Sequence, residues 1–200
     1  MKLGVLGGTF DPIHNGHLAI ADEVRSQLQL SEIIYVPAGQ PWLKADRPVT
    51  SAEHRIAMLE MAISDRPCSR ISMIDIERDG LTYTVDTLAD LWKRLGADDE
   101  VYFIIGWGSL EELPEWKAPA RIIRLCKLVA VPRPGYPLPD MGELDKRIPG
   151  LREKVIILDK PEIDISSSDI RERIAGGKSI SGLVPRAVED YIREKGLYKP

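Results

Sequence analysis

Two histidines three residues apart stand at the end of the stretch Gly7-Gly8-Thr9-Phe10-Asp11-Pro12-Ile13-His14-Asn15-Gly16-His17. Imidazoles at that spacing can face one anion. Gly7 and Gly8 let backbone approach a phosphate closely, Thr9 adds a hydroxyl donor, and Asp11-Pro12 is a turn pair. The apolar run Leu3 to Leu6 before the loop and the amphipathic run Leu18 to Leu28 after it predict a strand, a turn and a helix. The first N–H groups of that helix and its dipole favour negative charge. His14 and His17 then act as donors to phosphate oxygens and stabilise charge that builds in a transition state. A zinc site would need at least one more ligand. His54, the last of the three histidines, falls in a predicted helix with no acidic or cysteine cluster nearby, so no protein metal ligand is assigned.

A second segment, Ile165-Ser166-Ser167-Ser168-Asp169-Ile170-Arg171-Glu172-Arg173-Ile174, carries the same chemistry. Ser167 and Ser168 at a helix start offer hydroxyls and free backbone N–H groups. Arg171 lies about one turn further in and reaches back to the same anion, whereas Arg173 points elsewhere. Taken alone, the segment reads as plain N-capping by Ser167 or Ser168. Beside a phosphate loop it reads as a second anion site, and two such sites suit a triphosphate and a second phosphorylated substrate.

These side chains need a scaffold to converge. Apolar, β-branched runs at Glu32–Pro37, Ile71–Ile76, Val101–Ile105, Leu128–Val131 and Val155–Leu158 read as strands. Amphipathic runs at Leu18–Leu28, Ser51–Ile63, Val85–Leu95 and Pro119–Leu125 read as helices. Thr50 with Glu53 forms a capping-box pattern, and Thr84 or Asp86 suits the cap of the third helix. The alternation predicts an α/β fold with a doubly wound parallel sheet. Ligands in such sheets sit beyond the carboxyl ends of the strands, at the switch point, and the loop 7–17 lies at such an end. Residues 166–200 read as a small helical appendage on one domain spanning 1–200, with a helix ending at Gly176-Gly177 and Pro185 in the first turn of another that runs to about Lys195. The Pro- and Gly-rich stretch Arg133–Ile148 reads as a loop.

Composition bounds the function. The 200 residues are 44% hydrophobic and 29% charged, as in one globular domain. A net charge of −4 disfavours a general nucleic-acid binder. Cys68 and Cys126, with no CxxC, read as reduced thiols. With no signal peptide and no apolar run near the roughly 18 residues of a membrane span, the expectation is a soluble, cytoplasmic protein with no membrane partner.

The two motifs resemble those of the nucleotidyltransferase superfamily related to class I aminoacyl-tRNA synthetases: its (H/T)xGH loop and its ISSS/T-x-x-R motif. Further stretches are similar to bacterial nicotinate-nucleotide adenylyltransferases. They are Gly80-Leu81-Thr82-Tyr83-Thr84-Val85-Asp86-Thr87-Leu88, Phe103-Ile104-Ile105-Gly106 with Ser109-Leu110, Leu113-Pro114-Glu115-Trp116, and Arg133-Pro134-Gly135-Tyr136-Pro137. The ending from Leu183-Val184-Pro185 to Gly196-Leu197-Tyr198 also resembles theirs, so the likeness runs from residue 3 to residue 198.

That resemblance implies a Rossmann-like fold and adenylyl transfer from ATP to nicotinate mononucleotide, giving nicotinate adenine dinucleotide and pyrophosphate. It implies that His14, His17 and Arg171 are catalytic. It places Gly7, Gly8, Thr9, Phe10, Gly106, Ser109, Ser167 and Ser168 with them at ATP, and Lys44, Gly80, Tyr83, Thr84, Trp116 and Arg133 at the mononucleotide. Mg²⁺ is expected on ATP phosphate oxygens and water. The chain departs from the family twice. Gln40-Pro41-Trp42-Leu43-Lys44 replaces a PPHK stretch, keeping only the lysine charge. Gly108 stands where relatives commonly carry an aspartate that contacts the ATP ribose, a loss of about 1.5–3 kcal/mol if nothing replaces that hydrogen bond. The phosphate motifs also suit an enzyme acting on nicotinamide mononucleotide or phosphopantetheine, or a non-catalytic nucleotide-binding module. Phosphopantetheine enzymes usually lack the Tyr83-Thr84, Trp116 and Arg133–Pro137 segments, and both histidines are present here, against a non-catalytic module.

Overall fold

The computed structural model describes residues 1–41 and 49–199. In chain order the elements are β1 (Lys2–Gly8), α1 (Asn15–Leu28), β2 (Glu32–Pro37), β3 (Gln40–Pro41), α2 (Ala52–Ile63), β4 (Ser69–Ile71), β5 (Leu81–Thr82), α3 (Thr84–Trp92), β6 (Glu100–Gly106) and α4 (Trp107–Glu111), followed by α5 (Pro119–Leu125), β7 (Lys127–Val131), α6 (Met141–Arg147), β8 (Val155–Ile157), α7 (Ser167–Ala175) and α8 (Arg186–Lys195). Six strands form one sheet in the order β4-β2-β1-β6-β7-β8, and every pairing in it is parallel. The winding reverses between β1 and β6, the crevice position of doubly wound folds. The expected α/β fold is therefore present. A separate two-residue parallel pairing joins β3 to β5.

Alternation along the central strands sends apolar side chains to both faces. Leu6 of β1 and Tyr102 and Ile104 of β6 enter one core, where α1, α2, α7 and α8 cover them. Leu3 and Val5, with Val101, Phe103 and Ile105, enter the other, covered by α3, α4, α5 and α6. The segment read as an appendage carries Ile170, Val188 and Ile192 into the first of these cores.

Several expectations need correction. The apolar run at 71–76 is not one strand: β4 is Ser69–Ile71, and beyond it Ser72, Ile74 and Asp75 are buried in a turn. Apolar side chains there reflect burial and not strand geometry. The loop expected over 133–148 contains α6, capped by Asp140, whose carboxylate accepts from the Gly142 and Glu143 amides. Helix α2 is capped at Ser51 with no side-chain bond, so the Thr50–Glu53 capping box does not form. The Thr50 amide instead donates to Asp11 Oδ2, and the Thr50 carbonyl accepts from Arg55 Nε. Pro185 is the N-cap of α8, one position before its first turn.

Candidate active site

The loop after β1 runs into α1, whose N-cap is His14. The two imidazoles cap the helix reciprocally: the His17 amide donates to His14 Nδ1 and the His14 amide to His17 Nδ1, both at 3.3 Å. The rings stack with centroids 3.6 Å apart. A Cβ on Gly16 would lie 3.0 Å from His14 Nδ1, so glycine leaves room for the stack. Because each Nδ1 accepts, each neutral ring carries its hydrogen on Nε2. His14 is buried, and burial, with the positive charge of Arg133, lowers its pKa to about 4. It is therefore a neutral donor at working pH.

Helix α7 docks its first turn on that loop. Ser166 is the N-cap, accepting from the Asp169 amide, so neither Ser167 nor Ser168 does the capping. The Ser167 hydroxyl donates to the Pro12 carbonyl at 2.9 Å. Arg171 donates from Nη1 to the Asp11 carbonyl at 2.7 Å and from Nη2 to the Ser168 hydroxyl at 3.3 Å. The two sequence motifs, over 150 positions apart in the chain, thus meet through direct hydrogen bonds.

The loop and the start of α7 border a cavity of about 490 Å³ at the carboxyl ends of the strands. Gly7, Gly8, Thr9, His14, His17, Ser167 and Ser168 line its centre. Towards β7 and β8 lie Gly106, Ser109, Arg133 and Tyr136. Towards β2 lie Thr84 and Trp116, together with Asp75, Thr82 and Thr87. Thr84 is the first residue of α3 and makes no cap; the N-cap is Tyr83, again without a side-chain cap bond. Thr84, at the start of α3, and Trp116 both line the cavity.

Four expected site residues are placed differently. The Phe10 side chain is buried, edge-on to His17 with ring centroids 5.1 Å apart, so only its backbone belongs to the loop. Arg171 does not line the cavity; its guanidinium braces the loop. Gly80 and Tyr83 lie outside the lining as well, Gly80 in an exposed turn with φ +85° and Tyr83 with the Lys117 ammonium 4.4 Å from its ring centroid. Lys44 falls outside the described residues, as do Trp42 and Leu43.

Other lining groups went unread in the sequence. The Asp75 carboxylate, buried against the cavity wall, accepts from the Thr87 hydroxyl at 2.8 Å to each oxygen and from Arg78 at 2.8 Å. Burial pushes its carboxyl up, against the opposing pull of Thr87 and Arg78. Its position inside an apparent strand run concealed it. Tyr136 explains Gly108: a Cβ there would lie 2.7 Å from the Tyr136 ring, which occupies the space of the missing acid and carries the Arg133 guanidinium 5.3 Å from its centroid. Among the described residues no group of three or more His, Cys, Asp or Glu side chains is placed to hold a metal ion.

A Rossmann-type sheet with a histidine-capped anion loop at its switch point defines a nucleotidyltransferase-type site, and residues 5–173 match the cytidylyltransferase-like family. A probable nicotinate-nucleotide adenylyltransferase of Dehalococcoides mccartyi (strain CBDB1) is 53% identical over 198 residues, covering 99% of this chain and 97% of that protein. Another from Thermomicrobium roseum is 45% identical over 198 residues, 99% of this chain and 92% of its own length. The chain belongs to the cytidylyltransferase-like family and, within it, to the nicotinate-nucleotide adenylyltransferases. The fold also matches the solved structure of Plasmodium falciparum nicotinic acid mononucleotide adenylyltransferase complexed with NaAD. The TM-score is 0.78 at 22% identity, with 98% of this chain and 97% of the other covered.

Proposed function

We propose that this protein transfers the adenylyl group of ATP to nicotinate mononucleotide, releasing pyrophosphate and nicotinate adenine dinucleotide. The observation that carries the reading is one cavity joining the His14–His17 donor pair to the N-terminus of α3 and Trp116. A phosphate oxygen of the mononucleotide attacks the α-phosphorus of ATP in line. The new P–O bond forms as the bond to the bridging oxygen breaks, and the electron pair leaves with pyrophosphate. The attacking phosphate is already ionised, so no general base is needed. Positioning and charge stabilisation do the work.

The Nε2–H groups of His14 and His17 donate to the phosphate oxygens that gain charge. Support for that role comes from their capping geometry, in which each Nδ1 accepts and the ring hydrogen sits on Nε2, and from the place of both residues in the cavity lining. Ser167, Ser168 and the loop backbone at Gly8, Thr9 and Phe10 hold the triphosphate. Gly106 and Ser109 lie on the adenosine side, where Tyr136 supplies the wall at Gly108. At the other end Trp116 stacks on the nicotinate ring and the α3 amides with Thr84 take its carboxylate, while Arg133, on the β7 side, draws the mononucleotide phosphate. Mg²⁺ held by ATP phosphate oxygens and water would neutralise part of the triphosphate charge. Two free cysteines, Cys68 and Cys126, fit a cytoplasmic setting. None of the helices described is long and apolar enough to cross a membrane.

Purified protein with ATP and Mg²⁺ releases pyrophosphate when nicotinate mononucleotide is added. Release with nicotinamide mononucleotide or phosphopantetheine in preference would transfer the reading to those substrates, and release with none of the three would overturn it.

A further inference from the structure

The phosphate loop is held from outside its own motif. Arg55, only 2% exposed, donates from Nη1 to the Thr9 and Ala38 carbonyls, both at 2.8 Å. Arg171 and Ser167 take the carbonyls of Asp11 and Pro12. Phe10, between these points, has φ +51°, a conformation that a non-glycine residue keeps only where its surroundings enforce it. A further anchor is the Asp11 carboxylate, 5% exposed. Its Oδ2 accepts from the Thr50 amide at 3.2 Å, and its Oδ1 accepts from the Tyr198 hydroxyl at 2.7 Å. Tyr198 comes from the segment after α8, far from the loop in sequence, and itself has φ +64°.

We propose that Tyr198 is a positioning residue for the reaction, fixing the phosphate loop through the buried Asp11 carboxylate. The inference rests on the reading of that loop as the ATP phosphate site. His14 follows Asp11 by three positions, so a carboxylate that swings free moves the donor pair and the loop amides together. A displacement near 1 Å of such groups costs up to about 10²-fold in rate. Burial and the neighbouring Asp11 charge push the Tyr198 phenol up, which keeps its hydroxyl a donor. Tyr198 does not line the cavity, so the effect is indirect.

The test compares Tyr198→Phe, which removes only the hydroxyl, with Leu197→Ala, which removes packing from the same segment against the same core. In Tyr198→Phe, kcat for pyrophosphate release falls by about tenfold, with the KM for nicotinate mononucleotide within about twofold of wild type. Calorimetric affinity for a non-hydrolysable ATP analogue falls by about fivefold, the scale of one lost hydrogen bond. Leu197→Ala lowers Tm at least as far while kcat per folded molecule stays at the wild-type value. The inference is overturned if Tyr198→Phe matches wild type in both readouts, if its losses only track Tm as a packing defect would, or if it does not fold. Were the wild-type protein to bind the analogue yet release no pyrophosphate, the proposed reaction would fail and the binding comparison alone would decide this one.

Discussion

At the scale of single residues, the Nδ1 atoms of His14 and His17 close the first turn of α1, and the proposed reaction gives their Nε2–H groups the role of donors to phosphate. His17→Ala should therefore lower turnover by roughly 10²–10³, as for loss of a transition-state donor, while the lost cap costs only about 1 kcal/mol of stability. Steady-state rates beside a urea titration check this, and near wild-type turnover would refute the catalytic role. His14 also makes stability depend on pH. Its folded pKa near 4 lies below its ordinary 6.5, so between those values the unfolded chain binds the extra proton and the folded one does not. Stability contributed by His14 is complete above pH 6.5 and falls as pH drops towards 4, by about 3 kcal/mol in total. Urea unfolding at pH 7 and pH 4 should show His14→Asn losing less stability than wild type by about that amount. Equal losses in the two proteins would remove His14 as the cause. The residue types were legible in the chain; the reciprocal capping was not, because histidine is not among the usual cap residues.

At the scale of elements, α3 brings Thr84 and Thr87 to the cavity wall, and it is tied from the side. Thr87 on its second turn binds Asp75 from the turn after β4, and Arg78 clamps Asp75 and Asp90 together. Thr87→Val leaves a buried carboxylate short of one donor, a loss of about 1–3 kcal/mol. It should raise the KM for nicotinate mononucleotide several-fold and leave the KM for ATP near wild type. A rise in both, or in ATP alone, would contradict the placement of the two substrates. Helices α1, α3 and α5 were readable because amphipathic spacing or a leading proline marks them. Helix α4 was not, since five residues around Gly108 carry too little periodicity, and α6 lay in a stretch whose prolines and glycines read as loop. Asp75 was hidden for a related reason: a buried turn and a strand can share one apolar pattern.

At the scale of the whole molecule, α7 and α8 share a core with β1 and β6, so the loop they brace and the sheet that carries it should unfold together. Ile192, 3% exposed on α8, tests this. Ile192→Ala should cost about 2–5 kcal/mol, with circular dichroism and tryptophan fluorescence giving one coincident urea transition in both proteins. Two separated transitions would instead make residues 166–200 an independent unit.

The chain by itself determined the α/β class, the two histidine- and serine-bearing motifs and the family, because these depend on periodicity and on residues adjacent in sequence. Only the tertiary structure decided which side chains face the cavity. It turned Arg171 onto the Asp11 carbonyl, filled the space at Gly108 with Tyr136, and brought Tyr198 to Asp11. Those outcomes depend on contacts between segments tens to nearly two hundred positions apart, and nothing in local sequence pattern encodes the geometry in which such segments meet.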